Sequence, residues 1–168
     1  MGIPIKPQDS IPAVAVVIPC FKVRDHILEV LALVGQEVSR IYVVDDCCPE
    51  QTGELVAANF KDERVVVLRT PVNSGVGGAT LLGFQKAVSD GCTVVVKVDG
   101  DGQIDPRLIP RLVRPLLEKR ADYSKGNRFY ALESLRGMPT VRLIGNSILS
   151  FINKAVSGYW NVMDPTNG

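Results

Sequence analysis

The sequence predicts an α/β fold: a mostly parallel central sheet with helices on both faces. Two observations lead to it. Short, apolar, β-branched runs alternate along the chain with stretches of helical spacing, the order that parallel strands and crossover helices require. The chain of 168 residues is long enough for a substantial core, and 46% hydrophobic with 22% charged residues is an ordinary globular composition. There is no internal repeat and no low-complexity segment.

Residues 1–12 hold three prolines and little periodicity, and read as a flexible leader before a single domain over 13–168. Ala13–Ile18 is the first strand, closed by Pro19. Residues 25–38 place Ile27, Leu28, Leu31 and Val34 at helical spacing. Arg40–Val44 is the second strand and stops at Asp45-Asp46; Gln51–Phe60 follows as a short helix with Leu55, Val56 and Phe60 inward. Arg64–Leu68 is the third strand. The glycine-rich segment Asn73–Gly78 opens a helix that continues to Ser89, and Thr93–Val98 is the fourth strand.

Asp105-Pro106 starts another helix, with an acid at the cap and proline in the first turn. It runs through Leu108, Leu112, Val113 and Leu116, made irregular by Pro110 and Pro115. Ala121–Lys125 reads as a fifth strand, Arg128–Met138 as a loop, and Pro139–Val156 as a helix with Leu143, Ile144, Ile148, Leu149 and Ile152 on one side. The chain stops inside a turn-rich segment, Asp164–Gly168, so it is expected to be the truncated part of a longer protein.

Bulk properties exclude several classes. A net charge of +1 gives no pull toward nucleic acid. No apolar run reaches the ~20 residues that cross a bilayer, and the N-terminus lacks the basic-then-apolar pattern of a signal peptide. Cys20 and Cys92 flank apolar strands and read as buried thiols, whereas Cys47-Cys48 is a vicinal pair. Without C-x-x-C spacing or a Cys/His set, zinc is not expected, and the thiols point to a reducing, cytoplasmic compartment. His26, the single histidine, has no catalytic companion and reads as a surface or capping residue.

Chemistry gathers where the strands end. In a parallel sheet the carboxyl ends of the strands lie along one edge, where open α/β sheets place ligands. The first strand delivers Pro19-Cys20-Phe21-Lys22, the second Asp45-Asp46, the third the Asn73–Gly78 loop, and the fourth Asp99-Gly100-Asp101. Two carboxylates separated by one glycine can share a hard divalent cation that also binds phosphate oxygens; the plainer alternative is an acidic turn. Asp45 or Asp46 can accept from a base or ribose, or else cap the helix at 51–60. The Asn73 loop can bring backbone N–H groups to a nucleotide. It lacks the Gly-Lys-Ser/Thr of a P-loop, and its glycine spacing and position do not fit the dinucleotide fingerprint.

Taken in order, Val17-Ile18-Pro19-Cys20-Phe21, Val43-Val44-Asp45-Asp46, Asn73-Ser74-Gly75 and Asp99-Gly100-Asp101-Gly102-Gln103 resemble family 2 glycosyltransferases. Gly126-Asn127-Arg128, Arg142 and Asp164–Gly168 are similar to the branch that glycosylates polyprenyl or dolichyl phosphate. The resemblance covers residues 14–168. The chain departs from the family pattern at Lys22-Val23, where Asn-Glu is usual, at Cys47-Cys48 in place of Gly-Ser, at Val76 in place of Lys, and at Asn146 in place of Ser.

The resemblance implies the nucleotide-diphospho-sugar transferase (GT-A, Rossmann-like) fold and a metal-dependent, inverting transfer from a nucleoside-diphosphate sugar to a polyprenyl phosphate. It implies Pro19, Phe21, Asp45, Asp46, Asn73, Gly75, Asp99 and Gln103 as nucleotide-sugar contacts. Asp99, Asp101 and Gln103 would hold Mg²⁺ or Mn²⁺, with Asp101, Arg128, Arg142 and Asp164 at the reaction centre. A phosphate monoester is already largely dianionic at neutral pH, so the arginines would position it rather than a base deprotonate it. The enzyme would act at the cytoplasmic face of the membrane through segments outside this chain, with homo-oligomer formation open. Competing readings are a saccharide hydroxyl acceptor, for which Asp164 would be the base, and a non-catalytic nucleotide-sugar-binding domain. A nucleotidyltransferase is disfavoured, because Pro19–Val23 lacks a Gly-rich, Arg-containing loop.

Overall fold

The computed structural model describes residues 13–126 and 140–158. The chain separates into two compact units, residues 1–121 and 122–168. In the first unit the elements run β1 (Val14–Cys20), α1 (Ile27–Ala32), β2 (Arg40–Asp45), α2 (Thr52–Asn59), β3 (Val65–Arg69), α3 (Gly75–Ser89) and β4 (Val94–Lys97). A 3₁₀ turn (Pro106–Leu108) then leads into α4 (Ile109–Leu117).

The four strands form one parallel sheet in the order β3-β2-β1-β4. All seven residues of β1 are buried, as a central parallel strand covered on both faces demands. Side chains alternate between two cores. Val16, Ile18, Ile41, Val43 and Val96 pack with Ile27, Val30 and Leu31 of α1, Val56 of α2, and Ile109 and Val113 of α4. Ala15, Val17, Tyr42 and Val44 pack on the opposite face with Ala79 and Ala87 of α3. The expected parallel sheet with helices on both faces is thus present.

α3 lies close to the sheet because its buried stripe is Ala79, Gly83 and Ala87, small residues four apart. A Cβ at Gly83 would strike the methyls of Val17. At the far end of this helix the Tyr42 hydroxyl donates to Asp90 Oδ2 at 2.7 Å, and Lys86 Nζ pairs with Asp90 Oδ1 at 2.6 Å. The strand and the helix end are thereby tied at the end of the sheet opposite the carboxyl ends of the strands.

Two expectations from periodicity are corrected. The helix read over 25–38 ends at Ala32. Val34 and Val38 are buried, but from a loop whose Gly35 and Val38 carbonyls accept from the Arg64 guanidinium at 2.7 and 3.0 Å. Glycine at 35 weakens helix continuation, and a side chain from the β3 region satisfies the backbone instead. Ala121–Lys125 is not a strand. Only Tyr123 in that segment favours β structure, and it is 76% exposed, with no ladder partner to hold it. Cys92 is half-buried rather than buried, and His26 is exposed at the start of α1 without a side-chain capping bond.

Within the second unit, α5 (Thr140–Ser157) carries Arg142 and exposes Ile148, Leu149, Phe151, Ile152 and Val156. The leader 1–12, the 128–138 loop, Arg128 and Asp164 lie outside the described residues. Among the described residues no helix is long and apolar enough to cross a membrane.

Ile41 is fully buried in β2. Ile41→Ala is expected to destabilise the chain by about 2–5 kcal/mol in urea unfolding; a loss below about 1 kcal/mol would place Ile41 outside the cooperative core.

Candidate active site at the strand ends

Register sets the site. Cys20 of β1 is level with Asp45 of β2, which is level with Arg69 of β3, while Val17 is level with Lys97 of β4. The Val98 N–H donates to the Val17 carbonyl at 3.0 Å, so β4 carries on beside β1 past its formal end and brings Asp99 alongside Pro19. These ends border one cavity of about 360 Å³, within the usual range of small-molecule sites. β1 contributes Pro19, Cys20, Phe21 and Val23; β2 contributes Asp46; the β3–α3 loop contributes Asn73, Gly75 and Val76; β4 contributes Asp99, Gly100 and Asp101.

The adjacent acids of β2 have separate tasks because consecutive strand residues face opposite sides. Asp45 turns toward α2. Its Oδ1 accepts from the Cys48 N–H at 2.8 Å and its Oδ2 from the Gly53 N–H at 2.7 Å, so it anchors the first turn of that helix. It is 2% exposed and does not line the cavity, its carboxylate being engaged with the start of α2 instead. Asp46 turns toward α3 and does line the cavity. Its Oδ1 accepts from the Thr70 hydroxyl at 2.7 Å, the Ser74 N–H at 2.8 Å and the Ser74 hydroxyl at 2.7 Å. Burial alone would raise this carboxyl, but the hydrogen bonds from Ser74 and Thr70 outweigh it and hold Asp46 below the usual carboxylate range. Asp46 thereby fixes the Asn73–Gly75 loop, within which Asn73 Oδ1 accepts from the Gly75 N–H at 3.0 Å.

The rim of β1 is stitched to the loop after β2. Lys22 and Cys47, neither of them glycine, adopt left-handed backbone with φ of 57° and 52°. The Lys22 N–H donates to Cys48 Sγ at 3.2 Å, and Arg24 donates to the Glu50 carbonyl at 2.6 Å. The Lys22 ammonium lies 5.5 Å from the centroid of the Phe21 ring, whose side chain is part-exposed at the cavity. Behind them, burial pushes the Cys20 thiol up, with Asp45 and Cys48 adding to the effect, so the cavity floor carries a neutral thiol.

At the end of β4, Asp99 Oδ1 pairs with Lys97 Nζ at 2.7 Å. Asp101 Oδ1 accepts from the Gln103 N–H at 3.0 Å. Gly102, at φ 76°, turns the chain away after Asp101, and Gln103 is exposed and outside the cavity lining. What the structure gives Gln103 is a backbone role, its N–H orienting the Asp101 carboxylate. Among the described residues no group of three or more His, Cys, Asp or Glu side chains could hold a metal. Asp99 and Asp101 nevertheless fit Mg²⁺ or Mn²⁺ shared with phosphate. Both are hard oxygen donors on one cavity wall, Mg²⁺ commonly takes one or two carboxylates plus substrate phosphates, and Asp99 already holds a cation, the Lys97 ammonium.

The model of the family described as glycosyl transferase family 2 matches residues 15–168. The chain belongs to this family. It is 34% identical over 105 residues to the UDP-N-acetylglucosamine–dolichyl-phosphate N-acetylglucosaminyltransferase of Methanococcus voltae, covering 62% of this chain and 41% of that protein. It is 30% identical over 133 residues to the polyprenol monophosphomannose synthase of Mycolicibacterium smegmatis, covering 77% of this chain and 50% of that protein. The chain thus spans about half the length of these curated relatives. The crystal structure of S. aureus TarS 1-349 in complex with UDP superposes with a TM-score of 0.53 at 22% identity, over 66% of this chain and 33% of that one. This likeness supports the GT-A fold.

The family pattern singled out Pro19, Phe21, Asp46, Asn73, Gly75, Asp99 and Asp101, and the fold brings all of them to one cavity. Sequence reasoning missed Thr70 and Ser74, whose hydroxyls tie down Asp46, and Lys97. The signal for Lys97 was a single charge in a β-branched run, two residues from Asp99 and therefore on its face of the strand.

The Asp46 carboxyl titrates lower in the folded chain than unfolded, so its stabilisation is complete above the ordinary value near ~4 and is lost as pH falls through the folded value. Urea midpoints of wild type and Asp46→Asn, compared from pH 7 down to 3, are expected to converge at the acid end. A difference that stays constant over that range would contradict the assignment.

Proposed function

We propose that this chain is the donor-binding and catalytic part of a glycosyltransferase that moves a sugar from a nucleoside-diphosphate sugar to a polyprenyl phosphate. The observation that carries the proposal is the meeting of Asp46, the Asn73–Gly75 loop and the Asp99/Asp101 pair around one cavity at the strand ends. The activities named for the Methanococcus voltae and Mycolicibacterium smegmatis relatives support the choice of acceptor class.

In this reading Pro19 and Phe21 offer an apolar wall to the base, and Asp46 holds the Asn73 loop against the nucleoside. Asp99 and Asp101 would hold Mg²⁺ or Mn²⁺ at the donor diphosphate, which supplies Lewis-acid neutralisation of the charge on the departing nucleoside diphosphate. The acceptor needs positioning rather than activation, since a phosphate monoester is largely dianionic at neutral pH. By the family resemblance, Arg128 and Arg142 would supply the planar donor forks suited to that phosphate. The acceptor oxygen then attacks the anomeric carbon from the face opposite the diphosphate, the carbon–oxygen bond to the donor breaks, and the configuration inverts. The same resemblance gives Asp164 a catalytic role. The reaction would take place at the cytoplasmic surface of a membrane, where such a lipid phosphate resides.

Transfer of labelled sugar from uridine- and guanosine-diphosphate sugars to a polyprenyl phosphate, with Mn²⁺ and the full chain, tests the proposal. Asp101→Ala should lower turnover by about 100-fold or more, the scale of several kcal/mol of lost charge stabilisation. Arg142→Ala should raise the acceptor KM by about 10–100-fold with donor binding unchanged. Wild-type turnover by Asp101→Ala would remove the metal-clamp reading, and an unchanged acceptor KM in Arg142→Ala would remove the phosphate-fork reading.

A further inference from the structure

Lys97 does not line the cavity itself but pairs with Asp99, which does, and it has no role in the reading given above. It stands on the sheet face that carries Val17, in register with it, two residues before Asp99. β4 is otherwise valine. A lysine here needs a local reason, because a strand with both faces covered favours apolar side chains. The Lys97 ammonium lies 2.7 Å from Asp99 Oδ1, with the two side chains 20% and 34% exposed. Strand alternation carried past the end of β4 allows the pairing: residues i and i+2 project from the same face about 6–7 Å apart along the chain, within reach of a lysine stem.

We infer that Lys97 is a positioning residue for the donor diphosphate, setting the charge and orientation of the Asp99/Asp101 pair. The inference rests on the metal-clamp reading given above. Its ammonium engages Oδ1 of Asp99 and fixes the rotation of that carboxylate. It also changes the electrostatic sum. Two carboxylates and a divalent cation would sum to zero, whereas the lysine leaves that assembly one positive charge in excess. A diphosphate is then attracted more strongly, while a free divalent cation meets one less net negative charge. Lys97 therefore disfavours the bare cation and favours the cation arriving with phosphate, so that metal and donor enter together.

This makes a prediction of opposite sign for two ligands, which loss of structure alone does not produce. The experiment titrates wild type, Lys97→Met and Lys97→Arg, each as the full chain, with Mn²⁺ alone by electron paramagnetic resonance. It then titrates them with uridine and guanosine diphosphate at saturating Mn²⁺ by calorimetry. Lys97→Met, which keeps the length of the apolar stem, should bind Mn²⁺ alone about threefold to tenfold more tightly and nucleoside diphosphate about threefold to tenfold more weakly. Lys97→Arg should stay near wild type in both titrations. If Lys97→Met weakens both ligands or changes neither while wild type binds Mn²⁺, the charge-setting role is overturned and the metal clamp stands. If wild type itself fails to bind Mn²⁺ with or without nucleotide, the metal clamp falls and this role falls with it.

Discussion

Two adjacent carboxylates at the end of β2 organise the edge of the sheet on which the site is built. Their backbone is clamped on both sides: the Asp46 N–H donates to the Cys20 carbonyl, and the Thr70 N–H donates to the Asp45 carbonyl, each at 3.0 Å. Their side chains leave the strand in opposite directions. Asp45 takes two backbone N–H groups at the start of α2, and Asp46 takes the Thr70 and Ser74 donors that lead into α3. Buried charges of this kind are tolerable only when they are fully hydrogen-bonded, and here the partners are the loops themselves. The loops on both faces are therefore positioned by the same residues that would destabilise the chain if left unpaired.

The division of labour across the cavity follows from this. One wall is made by the β1 rim, apolar at Pro19 and Phe21; another is the Asn73–Gly75 loop held by Asp46; the third is the charged turn after β4. In the proposed reading, the third is the wall that would meet a diphosphate with a hard cation. Glycine on either side of Asp101 lets two carboxylates and a reversal of the chain fit within five residues, and the Gln103 N–H fixes Asp101 from behind. Lys97 adds a positive charge from within the strand, pairing with Asp99 behind this wall.

Much of the fold was legible because four β-branched runs and the glycine-rich helix start obey short-range rules. The misreadings have long-range causes. Val34 and Val38 repeat as a helix would, yet their loop is held by Arg64, which no local spacing reveals. Ala121–Lys125 had strand length but found no ladder, since pairing is decided by other segments. At the site, the carboxyl-end rule pointed to Asp46, Asn73 and Asp99, which the fold brings to one cavity. It could not separate Asp45 from Asp46, because that choice depends on which side of the sheet α2 and α3 occupy. Gln103 had motif spacing in its favour, and the turn at Gly102 took it out of the cavity. Arg128 and Asp164 belong to the sequence reading, as does the acceptor role of Arg142.

The central claim is that the strand ends form a nucleoside-diphosphate site completed by a divalent cation. Thermal unfolding of the full chain with uridine or guanosine diphosphate, Mn²⁺, both or neither tests it most directly, because a ligand that binds only the folded state must raise apparent stability. One nucleotide together with Mn²⁺ is expected to raise Tm by more than the sum of the shifts from each alone. No shift with either nucleotide, or an equal shift in the presence of a chelator, would contradict it.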